Sequence, residues 1–209
     1  NTGVGAYTSD AAQNGAQYNT SVGFGSLGEL ISGKFNVAIG AESGKACSSG
    51  TNNVAIGSWD NSDSGDVIKG ALGSNTVGSK TIAIGTGALA KANEDDNDGS
   101  IAIGHKAGYR KVGTGGGQYT KAEVLIGYQA GSQITTASNN TALGHSALGG
   151  DVSGTALTGS NNTAIGYSAG YDLEGSGHSN VIVGANAGVG LTNGDSNTII
   201  GEDAGKGSG

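Results

Sequence analysis

Proline and methionine are absent from this chain, cysteine occurs once, and charged residues make up only 13% of it. Each shortage excludes something. With no proline, and with glycines that do not fall on every third position, a collagen triple helix is out. The single cysteine, Cys47, excludes an internal disulfide framework and a multi-cysteine zinc site. Ten Lys and Arg stand against 17 Asp and Glu, for a net charge of −7. The nearest thing to a basic cluster is Tyr109-Arg110-Lys111, too little for a phosphate-tracking stripe, so nucleic acid is disfavoured as a partner. Apolar runs such as Thr81-Ile82-Ala83-Ile84 stop at a glycine, too short to span a bilayer. Heptads are missing and no stretch keeps a helical apolar period, which argues against a helix bundle. Because the chain starts at Asn1 and has no methionine, it is expected to be a piece of a longer protein.

What the chain has in excess is glycine, 43 of 209 residues, about three times ordinary usage. The glycines belong to a repeat. Asn36-Val-Ala-Ile-Gly40, Asn53-Val-Ala-Ile-Gly57, Thr81-Ile-Ala-Ile-Gly85, Ser100-Ile-Ala-Ile-Gly104, Asn140-Thr-Ala-Leu-Gly144, Asn162-Thr-Ala-Ile-Gly166, Asn180-Val-Ile-Val-Gly184 and Asn197-Thr-Ile-Ile-Gly201 are copies of one unit. Weaker copies end at Gly5, Gly23, Gly73 and Gly127. Many copies continue as Gly-x-x-Ala-Gly or Gly-x-x-Ala-Leu, as in Gly104-His-Lys-Ala-Gly108 and Gly144-His-Ser-Ala-Leu148. The base period is near 17 residues, with longer insertions expected near 58–80, 91–99, 112–123 and 149–161 of a single repeat array, 1–209. An aliphatic residue precedes the glycine in every copy, which a solvated Gly/Ser linker would not maintain.

A four-residue strand ending in a fixed glycine, followed by a second short segment and a polar loop, is the pattern of one coil of a solenoid. The fold expected is all-β, a parallel β-roll or β-solenoid of about twelve coils, on the order of 60 Å long at ~4.8 Å per coil. Alternate residues of a strand point to opposite faces. Ile39, Ile56, Ile84, Ile103, Ile126, Leu143, Ile165, Val183 and Ile200 are therefore expected to fill the inside of the coil, beside the corner glycines Gly40, Gly57, Gly85, Gly104, Gly127, Gly144, Gly166, Gly184 and Gly201. On that reading Ala38, Ala55, Ala83, Ala102, Ala142 and Ala164 look outward, and sister chains of a homotrimer are expected to cover them. The asparagines that open most copies are expected to stack as an amide ladder that pins the register.

The Asn-Thr/Val-Ala-Ile-Gly-x-x-Ala-Gly unit resembles the head repeats of trimeric autotransporter adhesins, and is similar to repeats in bacteriophage tail fibres. The resemblance covers nearly all of the chain and is weakest over 1–30 and 58–80. It implies a left-handed parallel β-roll wound three-fold about an axis. The adhesin heads usually have a tighter repeat of about 14 residues, so the longer period and the Ala-Gly and Ala-Leu endings bring the chain nearer to the tail-fibre shafts.

Several motifs have a chemical look. Gly23-Phe-Gly25-Ser-Leu-Gly28 matches a dinucleotide fingerprint, but no helix-forming segment follows to receive a pyrophosphate. Gly28-Glu-Leu-Ile-Ser-Gly33-Lys34 spells most of a phosphate loop, yet Phe35 stands where a hydroxyl must reach magnesium. Glu94, Asp96 and Asp98 occupy calcium-loop positions 1, 3 and 5, but position 12 is His105 rather than a bidentate Glu, and a solvated turn is the simpler expectation. Phe24, His105, Tyr128, His145 and Tyr167 share the slot after the motif glycine, where exposed rings could stack on sugars. No Ser-His-Asp or Cys-His set is recognisable, and no carboxylate pair is singled out for glycan hydrolysis.

The expectation is a structural and adhesive protein rather than an enzyme, without cofactor or resident metal. It would be a trimeric tail-fibre shaft on a virion, contributing to attachment to a host glycan or protein receptor and to other virion proteins, with no membrane insertion. The alternatives are an adhesin head on a bacterial outer surface and a glycan-degrading phage spike.

Overall fold

A computed structural model describes residues 1–10, 14–60, 69–92, 98–111, 122–150 and 156–207. They contain eleven strands of three residues each. These are β1 (Thr2–Val4), β2 (Thr20–Val22), β3 (Val37–Ile39), β4 (Val54–Ile56), β5 (Ile82–Ile84), β6 (Ile101–Ile103), β7 (Val124–Ile126), β8 (Thr141–Leu143), β9 (Thr163–Ile165), β10 (Val181–Val183) and β11 (Thr198–Ile200). They form one sheet in sequence order, β1 to β11, and every pairing is parallel and in register, so Ala38 lies beside Ala55 and Ala83 beside Ala102. No helix occurs among the described residues. A parallel neighbour requires the chain to travel round and return to the same edge. Doing so at every repeat makes the protein an all-β parallel solenoid.

The expected count of twelve coils is one too many. Gly73 does not close a strand: Leu72, just before it, has φ 52 and turns a corner. Ala71-Leu72 matches Ala88-Leu89 in the next coil, so it is the second half of the coil that opened at Gly57, displaced by the insertion between them.

Which face looks inward is the larger correction. Ala38, Ala55, Ala83, Ala102, Ala142 and Ala164 are 0–2% exposed within one chain. They line the inside of the coil and need no sister chain to cover them. The residues expected inside, Ile39, Ile56, Ile84, Ile103, Ile126, Leu143, Ile165, Val183 and Ile200, are half-buried or exposed on the outer face of the sheet. Space is the reason. The interior also receives the third residue after each motif glycine (Ala88, Ala107, Ala130, Ala147, Ala169, Ala187), all fully buried. Further corner residues such as Leu30, Ile134 and Leu173 come in from the opposite wall. A three-residue strand turns one side chain to one face and two to the other, and the narrow lumen takes the single central one.

Volume is balanced within a coil or between neighbouring coils. In β5 and β8, whose centre is Ala, the fourth residue after the glycine is a buried Leu, Leu89 or Leu148. Where the strand centre is Leu125, Ile182 or Ile199, that corner is Gly131, Gly188 or Gly205. A Cβ on Gly131 would meet Leu125 Cδ2 at 2.6 Å. Three coils pair Ala with Gly, and neighbouring coils fill the space: Leu27 beside Ala38 and Gly44, Leu89 and Leu125 beside Ala102 and Gly108, and Leu148 and Ile182 beside Ala164 and Gly170. Packing of this kind closes the core within one chain. The protein exposes 8768 Å², close to the ~8700 Å² that surface scaling gives a folded monomer of its 20.1 kDa mass.

The motif glycine is needed twice over. Gly40 has φ 121, which L side chains rarely adopt, and a Cβ there would sit 2.8 Å from the carbonyl carbon of Gly57 in the next coil. Left-handed corners then follow at the second and fourth residues, for example Lys106 (φ 55) and Gly108 (φ 60) after Gly104.

The amide ladder is present, and it is buried. Asn19 Oδ1 accepts from both the backbone N–H and Nδ2 of Asn36, at 2.9 and 3.0 Å. Asn36 Nδ2 also donates to the Gly50 carbonyl. The same links join Asn140 to Asn162, Asn162 to Asn180 and Asn180 to Asn197. Each buried amide is satisfied only when the next coil is in register, so a slip by one residue would strand a column of polar groups.

Candidate interaction surfaces

Three features of the rod could carry function: the outer face of the sheet, a column of rings, and an ion pair inside the ladder. The outer face is a strip two side chains wide. Its first column is Thr or aliphatic and its second is aliphatic throughout; Val22 (36% exposed), Ile39 (40%), Leu143 (44%) and Ile165 (37%) are exposed, and Ile56, Ile84, Ile103 and Ile126 between them are half-buried. No charged side chain interrupts either column in any of the eleven strands. Contiguous apolar patches of this extent are uncommon on the surfaces of lone soluble proteins.

The ring column is only partly as expected. His105, Tyr128, His145 and Tyr167 lie on four adjacent coils and stack in sequence, with centroids 5.3, 4.9 and 5.3 Å apart and planes within 29° of parallel. Phe24 is separate from them and meets Tyr7 edge to face at 5.3 Å. A second pair, Tyr18 and Phe35, stacks at 5.0 Å. From the sequence the slot reads first as an exposed corner that tolerates variety, and second as a place where rings could stack on sugars. In the structure the four rings turn their faces to one another, so the column presents ring edges, hydroxyls and imidazole nitrogens to solvent. His145 Nδ1 lies 3.0 Å from Ser146 Oγ. The third histidine, His178, sits in a spacer with its Nδ1 against Asp195 Oδ1, an exposed pair linking two coils.

The ladder changes chemistry in the middle. Thr81, Ser100 and Glu123 occupy the asparagine column at β5, β6 and β7. Glu123 Oε2 accepts the Asn140 N–H at 2.7 Å, doing the work of an asparagine oxygen. Its Oε1 takes Lys111 Nζ at 3.0 Å, both side chains being fully buried. Lys111 also donates to the Ala137 carbonyl. Lys111 is the seventh residue after its motif glycine, a position held by Leu30, Cys47, Ala92, Ile134 and Leu173 in other coils. A lysine has replaced a core apolar residue and a glutamate a ladder asparagine, and the two changes answer each other. Burial pushes the Glu123 carboxyl up to about 7, while the Lys111 charge and hydrogen bond and those from Asn140 pull it down. This pair was missed from the sequence, although aligning the coils column by column shows both departures.

Of the calcium candidates, Glu94 and Asp96 lie outside the described residues. Asp98 Oδ1 accepts the Ser79 N–H of the coil before it, serving as a link between coils. No group of three or more His, Cys, Asp and Glu side chains that could hold a metal occurs among the described residues. Cys47 is buried in the core column, which pushes its thiol up to about 11, opposed by its bond to the Gly50 carbonyl and by Asn53.

Comparison with family models, curated proteins and solved structures finds no match. By its own geometry the chain is a parallel β-solenoid repeat protein.

Proposed function

We propose that this chain is a length of homotrimeric fibre shaft, of the kind a bacteriophage tail uses to hold a host-binding tip away from the virion, and that it contributes contacts to the host surface. The observation that carries the reading is the uninterrupted aliphatic strip on the outer sheet face. A rod closed by itself, yet greasy along one full side, is built to lie against copies of itself. Isologous or cyclic packing of one repeated face needs no second protein, and the likeness of the repeat to those of trimeric adhesins favours three copies. The role of each part follows. Backbone and asparagine ladders give stiffness, the strip gives assembly, and three parallel copies multiply weak surface contacts through avidity.

Sedimentation of the purified chain tests this. The expected particle has three times the 20.1 kDa chain mass. Ile39→Asp combined with Ile165→Asp, both on the outer face, should return it to single chains with an unchanged β-type circular dichroism spectrum. A folded wild type that stays monomeric at high concentration would sink the proposal.

A further inference from the structure

The solenoid brings together a group of cations that the sequence scatters. Counted from the motif glycines Gly85, Gly104 and Gly127, the sixth residues are Lys91, Arg110 and Gln133, and the second residues include Lys106 and Gln129. Successive coils are bonded in register here, Arg110 N–H to the Ser132 carbonyl and Gly108 N–H to the Ala130 carbonyl. These positions therefore become neighbours on one corner of the rod. Together with Tyr109 and Ser132 they enclose a cavity of about 270 Å³.

Among the described residues its lining has three cationic side chains and no carboxylate, in a chain of net charge −7 with only ten Lys and Arg. Lys91 Nζ lies 4.6 Å and Lys106 Nζ 5.8 Å from the Tyr109 ring centroid, so one ring holds both ammonium groups close to the cavity. Arg110 Nη1 donates to Gln133 Oε1. Arginine only donates, so this contact fixes the amide orientation. Gln133 is 4% exposed, and its Nε2 has no partner among the described residues. A buried amide donor without an acceptor, beside a guanidinium with donors to spare, is complementary to an oxygen-rich anion. The cavity lies just below the range for ligand pockets and suits a single sugar unit rather than an extended ligand.

We propose that this pocket binds an acidic sugar, a saccharide unit bearing a carboxylate or sulfate ester, with Arg110, Lys91 and Lys106 on the anionic group and Gln129 and Gln133 on the hydroxyls. The proposal deepens the attachment reading by naming the class of surface ligand. The pocket lies wholly on one chain, so it stands or falls independently of the oligomeric state.

The test is calorimetric titration of the whole chain with oligogalacturonate, its fully methyl-esterified form, a heparin-derived disaccharide and inorganic sulfate. At least one acidic saccharide is expected to bind, weakening as salt is raised. The esterified saccharide should bind at least about tenfold more weakly than the free acid. Arg110→Gln, and separately Lys91→Gln with Lys106→Gln, should each weaken acidic-sugar binding by about tenfold, the lysine pair doing so with the unfolding temperature in place. Absence of binding by both acidic saccharides, binding unaffected by these substitutions, or inorganic sulfate binding as tightly as the sugars would each overturn it.

Discussion

Replacing the buried Lys111–Glu123 pair by the residues that the other coils carry should leave the protein as stable or make it more so, whereas breaking the pair from one side should cost it heavily. Both side chains are fully buried, and the ammonium is held by one carboxylate oxygen and one backbone carbonyl. Lys111→Leu restores the aliphatic core column but leaves the Glu123 carboxyl without its counter-charge. Removal of one partner from such a pair costs about 3–5 kcal/mol. At roughly 2–4 °C per kcal/mol for a chain of this size, the unfolding midpoint should fall by about 6–20 °C. The Lys111→Leu, Glu123→Asn double variant restores leucine in the core and asparagine in the ladder, where it can again accept the Asn140 N–H. It should lie between wild-type stability and a gain of about 1–4 kcal/mol, because two desolvation costs vanish together. The pH dependence carries a sign as well. A carboxyl raised to about 7 holds its proton in the folded chain after the unfolded chain has released it, so stability should fall as pH rises from the ordinary carboxylate range through 7. Lys111→Leu should steepen that fall, and the double variant should lack it. Thermal and urea unfolding of the wild type, Lys111→Leu, Glu123→Asn and the double variant between pH 4 and 8 completes the cycle. A neutral Lys111→Leu, or a double variant no more stable than the single, would refute the account of the pair as mutual compensation.

Two further outcomes follow from the packing. Leu125→Ala should destabilise by about 2–5 kcal/mol, and adding Gly131→Leu should recover at least half of that by recreating the Ala142 and Leu148 arrangement of β8, since Leu89 and Leu148 already accept this left-handed corner at φ 47 and 48. Urea unfolding checks it, and a double variant weaker than Leu125→Ala would contradict the volume balance. Cys47, buried and with its thiol raised to about 11, should resist maleimide at pH 8 in the native protein and react fully in denaturant; rapid native labelling would show that the coil opens there.

The sequence by itself determined the solenoid. A glycine that only glycine can replace, set one coil apart from the next, and asparagines recurring in phase with it are demands that a parallel, in-register stack alone meets, and both columns stand in the structure where the repeat puts them. It could not say which face of the strand turns inward. Alternation assigns Ala38 and Ile39 to opposite faces without naming the sides, and the choice was made by the far wall of the coil, where Leu89, Leu148 and the buried alanines leave room for one side chain per strand. Nor could it count the coil interrupted after Gly57, because an aliphatic residue before a glycine looks the same in a strand as at a left-handed corner. Juxtapositions across insertions belong to the tertiary structure for the same reason. Lys111 meets Glu123, and Lys91 meets Arg110, only because backbone bonds between coils hold distant residues in register, and that register is a property of the stack rather than of any one repeat.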